Sequence, residues 1–193
     1  MRYAALLPLL ILAACGSSAP VPKVYVLTAP AAPVASVANE AGRPVLLLPR
    51  VSVPDYLDTT DMMIRDGQNE LRVSQTGRWG ERLSVAVTDA LDADLQRRLP
   101  GYLLVRTGTG ARNVDVDVEA FDVRADGNCV LRVRWTVKGA DGDTVLTRQQ
   151  DTIVTQASGT AQGVSDAAAA DVMSAAIDQL AARIAPAVAS GRH

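Results

Sequence analysis

Val114-Asp115-Val116-Asp117-Val118-Glu119-Ala120 and, past Asp126-Gly127, Cys129-Val130-Leu131-Arg132-Val133-Arg134-Trp135-Thr136-Val137-Lys138 are two runs in which apolar and polar side chains alternate. A period of two puts successive side chains on opposite faces of a strand, so each run predicts a strand with one buried face. A two-residue turn at Asp126-Gly127 sets Val116 opposite Val137, Val118 opposite Trp135 and Ala120 opposite Val133. The same register sets Glu119 opposite Arg134 and Asp115 opposite Lys138 on the other face. Apolar pairs on one side and opposite charges on the other support a single hairpin. Phe121 and Val123 fall out of phase with the valines before them, which predicts a bulge near Phe121. A second turn at Asp141-Gly142 leads to a third strand from about Thr144 to Thr155.

On the N-terminal side the period changes to helical. Trp79, Leu83, Val87, Ala90, Leu91, Leu95 and Leu99 share one stripe, predicting a helix from Arg78 to Leu99 that Pro100-Gly101 ends. Before it, Asp61–Arg65 and Glu70–Ser74 flank Asp66-Gly67-Gln68-Asn69 and read as a hairpin. Pro44–Val53 is an aliphatic run, a core strand interrupted or bent at Pro49, where the backbone N–H is missing. Short strands are expected at Lys23–Thr28 and Tyr102–Arg106, with a surface connection from Ala29 to Pro44. After a small polar loop, Gln156–Gly163, comes a second helix from about Ser165 to Val188. Its stripe of Ala168, Val172, Ala176, Leu180, Ile184 and Val188 is half alanine, which permits close approach. Together these elements predict one α+β domain over residues 23–190: a mainly antiparallel sheet with two long helices on one face.

The chemistry available to such a domain is limited. The only histidine is His193, the last residue, where a terminus gives no fixed catalytic geometry. That argues against His-dependent serine and cysteine hydrolases and against His-built zinc sites. Asp115-x-Asp117-x-Glu119 lacks the glycine and distal glutamate of a calcium loop, since Ala120 and Asp126 hold those places, and it reads as a solvated sheet face. Gly108-Thr109-Gly110 lacks the rest of a phosphate loop and reads as a turn. Asp55, Asp58 and Asp61 lie close in sequence and read as loop residues, with paired-carboxylate catalysis the rarer alternative. Met62-Met63-Ile64 has apolar side chains on both faces of one strand; it is either buried on both or an adaptable contact surface. The formal net charge is −2 and aromatics are scarce, so no nucleic-acid partner is implied. No cofactor and no metal are implied either.

The first residues carry a different message. Met1-Arg2 precedes an apolar run from Ala4 to Ala14, too short to span a bilayer and laid out as a secretory signal. It ends in Leu12-Ala13-Ala14-Cys15, which looks like a lipobox. The expected organisation is therefore a signal peptide at 1–14, a lipidated tether at 15–22 with lipid on Cys15, and the domain at 23–190. Gly16 lacks the aspartate that retains lipoproteins in the inner membrane, so the periplasmic face of the outer membrane is the expected location. Seven extended residues, Gly16 to Pro22, reach about 24 Å, which keeps the domain near its membrane. With Cys15 acylated, Cys129 has no intrachain partner and is expected to be a small buried residue.

Beyond the lipobox come Tyr25-Val26-Leu27, Val51-Ser52-Val53-Pro54-Asp55-Tyr56-Leu57-Asp58, Met62-Met63-Ile64-Arg65, Asn69-Glu70-Leu71 and Arg78-Trp79 before Glu81-Arg82-Leu83. In this order and spacing the chain resembles the PqiC-type family of ABC-transport auxiliary lipoproteins. Arg82 stands where the family usually has a proline. The resemblance implies a non-enzymatic periplasmic component of a system that moves lipids between two membranes. Its partner would be an MCE-domain protein, and the resemblance also implies a ring-shaped homo-oligomer. A structural lipoprotein of another envelope machine is the alternative. The interface expected from the resemblance comprises Tyr56, Leu57, Met62, Met63, Arg65, Arg78 and Trp79.

Overall fold

In the computed structural model residues 21–29, 42–157 and 163–190 are described. The signal peptide, Cys15, the connection at 30–41, the loop at 158–162 and His193 lie outside the described residues. Ten elements follow one another: β1 (Lys23–Tyr25), β2 (Val45–Leu47), β3 (Asp61–Asp66), β4 (Glu70–Trp79), α1 (Leu83–Arg98), β5 (Leu103–Val105), β6 (Arg112–Arg124), β7 (Asn128–Lys138), β8 (Val145–Gln156) and α2 (Asp166–Ser190).

The sheet is mixed. Its antiparallel ladders β3–β4, β6–β7 and β7–β8 are the long ones. The parallel pairings of β1 with β4, β2 with β5 and β6, and β3 with β6 are short. β6 is the spine. One of its edges is filled by β7; along the other runs the chain from β2 to β3, touching β6 three times. Leu46 and Leu47 pair with Arg112 and Asn113, Ser52 bridges to Asp117, and Ile64 and Arg65 pair with Val123 and Arg124. Pro49, which lacks a donor, sits in the first gap, so the strand expected at Pro44–Val53 is interrupted there: it ends at Leu47 and resumes only as the Ser52 bridge.

The central hairpin keeps its predicted facing but not its register. Gly127 adopts φ +85° and its N–H bonds to the Arg124 carbonyl (2.9 Å), making a three-residue loop instead of a two-residue one. Phe121 therefore pairs with Leu131 and Val123 with Cys129. The expected bulge lies between Val118 and Ala120, slightly earlier than Phe121, and beyond it Val118 pairs with Val133 and Val116 with Trp135. The ladder has slipped by two residues there, which preserves facing, so Asp115 and Glu119 still meet Lys138 (2.7 Å) and Arg134 (3.2 Å) diagonally.

α1 starts later than its stripe predicts. Arg78 and Trp79 are the last residues of β4, correcting the expectation that they open the helix. Trp79 donates its N–H to Thr60 and Gly80 donates to Tyr25 (both 2.8 Å), so these backbones belong to the sheet. Arg82 at the helix N-cap gives no side-chain cap, but Asp58 supplies one from the turn before β3, accepting from Ser84 N–H at 3.1 Å. Burial works to raise the Asp58 pKa, and the Ser84 hydrogen bonds with nearby Arg82 and Arg50 outweigh it, leaving the carboxyl below its ordinary value. A lowered folded pKa gives stability that is present above the unfolded value and lost as pH falls through the folded one. Asp58→Ala is expected to cost about 1 kcal/mol at neutral pH. Urea titrations should show that loss shrinking in acid.

Both helices lie side by side on one face of the sheet. α2 crosses β7 and β8 and buries Val172, Ala176, Ile177, Leu180, Ala181 and Ile184, and its alanines let it approach closely. Thr155 donates to the Val172 carbonyl (2.7 Å), tying the helix to β8. By length and composition α2 is apolar enough to cross a membrane, yet its apolar stripe is core. An ionic clasp joins α2 to α1: Asp178 accepts from both Arg97 and Arg98, and Arg97 also bonds Asp94, whose side chain is fully buried.

Candidate functional site

The residues expected at a partner interface fall into two groups. Leu57, Met62 and Trp79 are 3%, 1% and 4% exposed and belong to the hydrophobic core, a correction to their expected role as contacts. The cause is strand alternation: Met62 and Ile64 point toward the helices while Met63 and Arg65 point away. Met62-Met63-Ile64 is thus neither fully buried nor a continuous apolar surface.

Tyr56, Met63, Arg65 and Arg78 remain accessible in whole or part. Tyr56 rides on a turn in which Leu57 and Asp58 donate N–H bonds to the Pro54 carbonyl (2.8 and 3.2 Å). It lies beside Arg65, whose guanidinium makes a forked bond to Asp122 (2.8 and 3.0 Å). That hydrogen bond, with the carboxylate's charge, outweighs the cost of burial and holds Arg65 above its ordinary pKa. Arg78, opposite Val24 on β1, is exposed at the far end of β4. These side chains share the helix-free face, spread along its β3–β4 side.

The same face carries the charged rows of β6 and β7. Arg134 bridges Asp117 (2.6 Å) and Glu119, and Gln150 of β8 donates to Glu119 (3.0 Å). Asp115 and Asp117 are thus a solvated, paired row. Asp58 is the helix cap, and Asp61 bonds Thr59 across one residue (3.4 Å), so neither carboxylate is held against the other. Among the described residues no group of three or more His, Cys, Asp or Glu is placed to hold a metal.

Cys129 is fully buried and free, facing the helices from β7. Burial pushes its pKa up to about 12, against a smaller opposite effect of the Thr155 hydrogen bond. Iodoacetamide at mildly alkaline pH should leave Cys129 unmodified in the native protein and alkylate it in urea, as read by peptide mass. Rapid native alkylation would contradict the packing of β7.

What sequence reasoning missed is the clasp of Asp94, Arg97, Arg98 and Asp178. The i,i+3 spacing of Asp94 and Arg97 was visible, but Asp178 comes from another helix and no periodicity announces it.

Comparison with known proteins agrees with this geometry. The family described as "ABC-type transport auxiliary lipoprotein component" matches residues 25–185. Two curated relatives, the intermembrane transport lipoproteins PqiC of Escherichia coli (strain K12) and Shigella flexneri, are each 25% identical over 126 residues, 64% of this chain and 67% of theirs. The crystal structure of an uncharacterised protein superposes with a TM-score of 0.70 at 19% identity, covering 86% of this chain and 98% of that one. A Xanthomonas campestris protein superposes at 0.65 with 17% identity, covering 84% and 92%. These two structural matches speak for the fold alone.

Proposed function

The chain belongs to the family of ABC-type transport auxiliary lipoprotein components, and from that premise we propose that it is a non-enzymatic docking subunit of an intermembrane lipid transporter. It is held by lipid on Cys15 at the periplasmic face of the outer membrane and binds an MCE-domain protein. The observation that carries the reading is the family match over residues 25–185, which includes both the core elements and the accessible Tyr56, Met63, Arg65 and Arg78. The PqiC relatives, named as intermembrane transport lipoproteins, point the same way. Five residues separate Cys15 from Val21, so the domain stands close to the surface that anchors it.

Two measurements test this. Cys15→Ser, with residues 1–14 exchanged for a signal peptide cleaved independently of lipidation, should move the protein from the membrane pellet to the soluble fraction, because the acyl chains on Cys15 are the proposed anchor. Crosslinking in cells followed by affinity capture of the tethered chain should recover an MCE-domain protein. A chain that stays membrane-bound without Cys15, or repeated capture of no MCE protein, counts against the corresponding half of the proposal.

A further inference from the structure

A trough of about 540 Å³ crosses the helix-free face where the chain segment before β3 meets β6. Arg50 and Ser52 line one side, Asp117, Arg134 and Thr136 the floor, and Arg148 the other side. Ser52 neighbours Asp117, Asp117 opposes Arg134, and Thr136 opposes Arg148, so the trough spans three interstrand spacings, about 14 Å.

The charges around it do not balance. Every carboxylate of that face on β6 is already in an ion pair: Asp115 with Lys138, Asp117 and Glu119 with Arg134, and Asp122 with Arg65. Among the described residues Arg50, Arg132 and Arg148 have no carboxylate within 4.0 Å, and all three are exposed. Guanidinium groups without a salt bridge thus gather on one face of a chain whose formal net charge is −2, Arg50 having only the longer-range attraction of Asp58. Each presents a fork of N–H donors suited to a carboxylate, and the Ser52 and Thr136 hydroxyls add donors between the rims.

We propose that this trough receives an extended, carboxylate-bearing segment of the protein partner. The occupant follows from charge and span. In an extended peptide, side chains four residues apart point the same way and lie about 13 Å apart, which matches the separation of the two rims. The paired Asp115 and Asp117 on the floor turn away a second row of anions, which disfavours a continuous anionic surface. The inference rests on the reading that the chain docks on a transporter protein, and it names the surface and the partner's chemistry.

The test uses the full-length chain in detergent with a fluorescent oligoglutamate peptide, followed by anisotropy at increasing salt. Wild type should bind, binding should weaken as salt rises, and Arg50→Ala with Arg148→Ala should weaken it by roughly tenfold or more. Arg72→Ala, an exposed arginine on β4 away from the trough, should bind as wild type does. Melting curves should coincide, since all three side chains are on the surface. Equal binding by wild type and the double variant overturns the proposal. So does binding to phosphatidylglycerol vesicles that needs Arg50 and Arg148 while the peptide is ignored, which would assign the trough to lipid. In crosslinked cells R50E with R148E should lose the MCE partner that wild type captures. If the double variant captures it as well, the trough is wrong and the docking function stands. If wild type captures none, the docking function falls and the peptide result alone judges the trough.

Discussion

Arg97→Ala is expected to lower the unfolding free energy by about 3–5 kcal/mol, the loss typical of breaking a buried pair by removing one partner. Asp94 is fully buried, and its only hydrogen bond among the described residues is from Arg97 to Oδ1 (2.8 Å), while Oδ2 has no partner. Without Arg97 a carboxylate stays in the helix–helix interface with no hydrogen bond, and only the nearby charge of Arg98 offsets its desolvation. Asp178 would keep Arg98 (2.7 Å), so the two helices stay linked. The urea midpoint should fall with little change in slope. Replacing both partners by apolar groups, Asp94→Leu with Arg97→Met, should cost far less than Arg97→Ala alone. A single substitution costing under about 1 kcal/mol would mean that Asp94 is solvated or neutral in the folded protein.

The pH dependence has a definite sign. Burial raises the Asp94 pKa, and the Arg97 hydrogen bond only partly opposes it. A carboxyl whose folded pKa is raised holds its proton more tightly when folded, so its contribution is most favourable in acid and declines as pH rises through that pKa. Removing Arg97 raises it further, and the deficit should shrink on acidification. Asp178 runs the other way. Burial raises it, but the Arg98 and Arg97 bonds leave it lowered, so its stabilisation is lost as pH falls.

Trp79→Ala is expected to cost about 3–5 kcal/mol, the range for deleting a large aromatic side chain from a core. The indole is 4% exposed and belongs to the hydrophobic core. Arg78→Ala, one residue away and facing outward, should change stability by no more than about 0.5 kcal/mol. Denaturant curves of the two variants separate the readings of this pair. Near-wild-type stability for Trp79→Ala would return Trp79 to the surface, where a contact role was expected. Loss of partner capture in Trp79→Ala alone reports unfolding, whereas loss in Arg78→Ala reports the interface.

Much of the fold was legible because alternation and helical period are local signals. β7, β8 and α2 lie within a residue or two of their expected bounds, β6 runs past its alternating stretch to Arg124, and the facing of every β6–β7 side chain before the bulge is correct. The register slipped because turn length is set by backbone conformation at Gly127, which Asp-Gly alone does not specify. Trp79 was misplaced because it stands four residues before Leu83, the right distance for a helical stripe, although its backbone bonds to Thr60. The interface was read from the segment that resembles the family, and a resemblance does not say which side of a strand faces water. Parity within β3 decides that, and it sends Met62 inward and Arg65 outward. The arginine excess around the trough is hidden in the sequence because Arg50 and Arg148 are far apart along the chain and meet only across the sheet.

The way the chain from β2 to β3 tracks along β6 also bears on the order of assembly. A chain made N-terminus first exposes β1 and β2 long before the strands they pair with exist, since β2 waits for β5 and β6. The three-strand meander β6–β7–β8, by contrast, closes through short turns and mostly local contacts, which form fastest. The nucleus is therefore expected in the later part of the chain, with the older part recruited onto a finished edge. Until then the aliphatic stretch around Leu46, Leu48 and Val51 is the segment most in need of shielding.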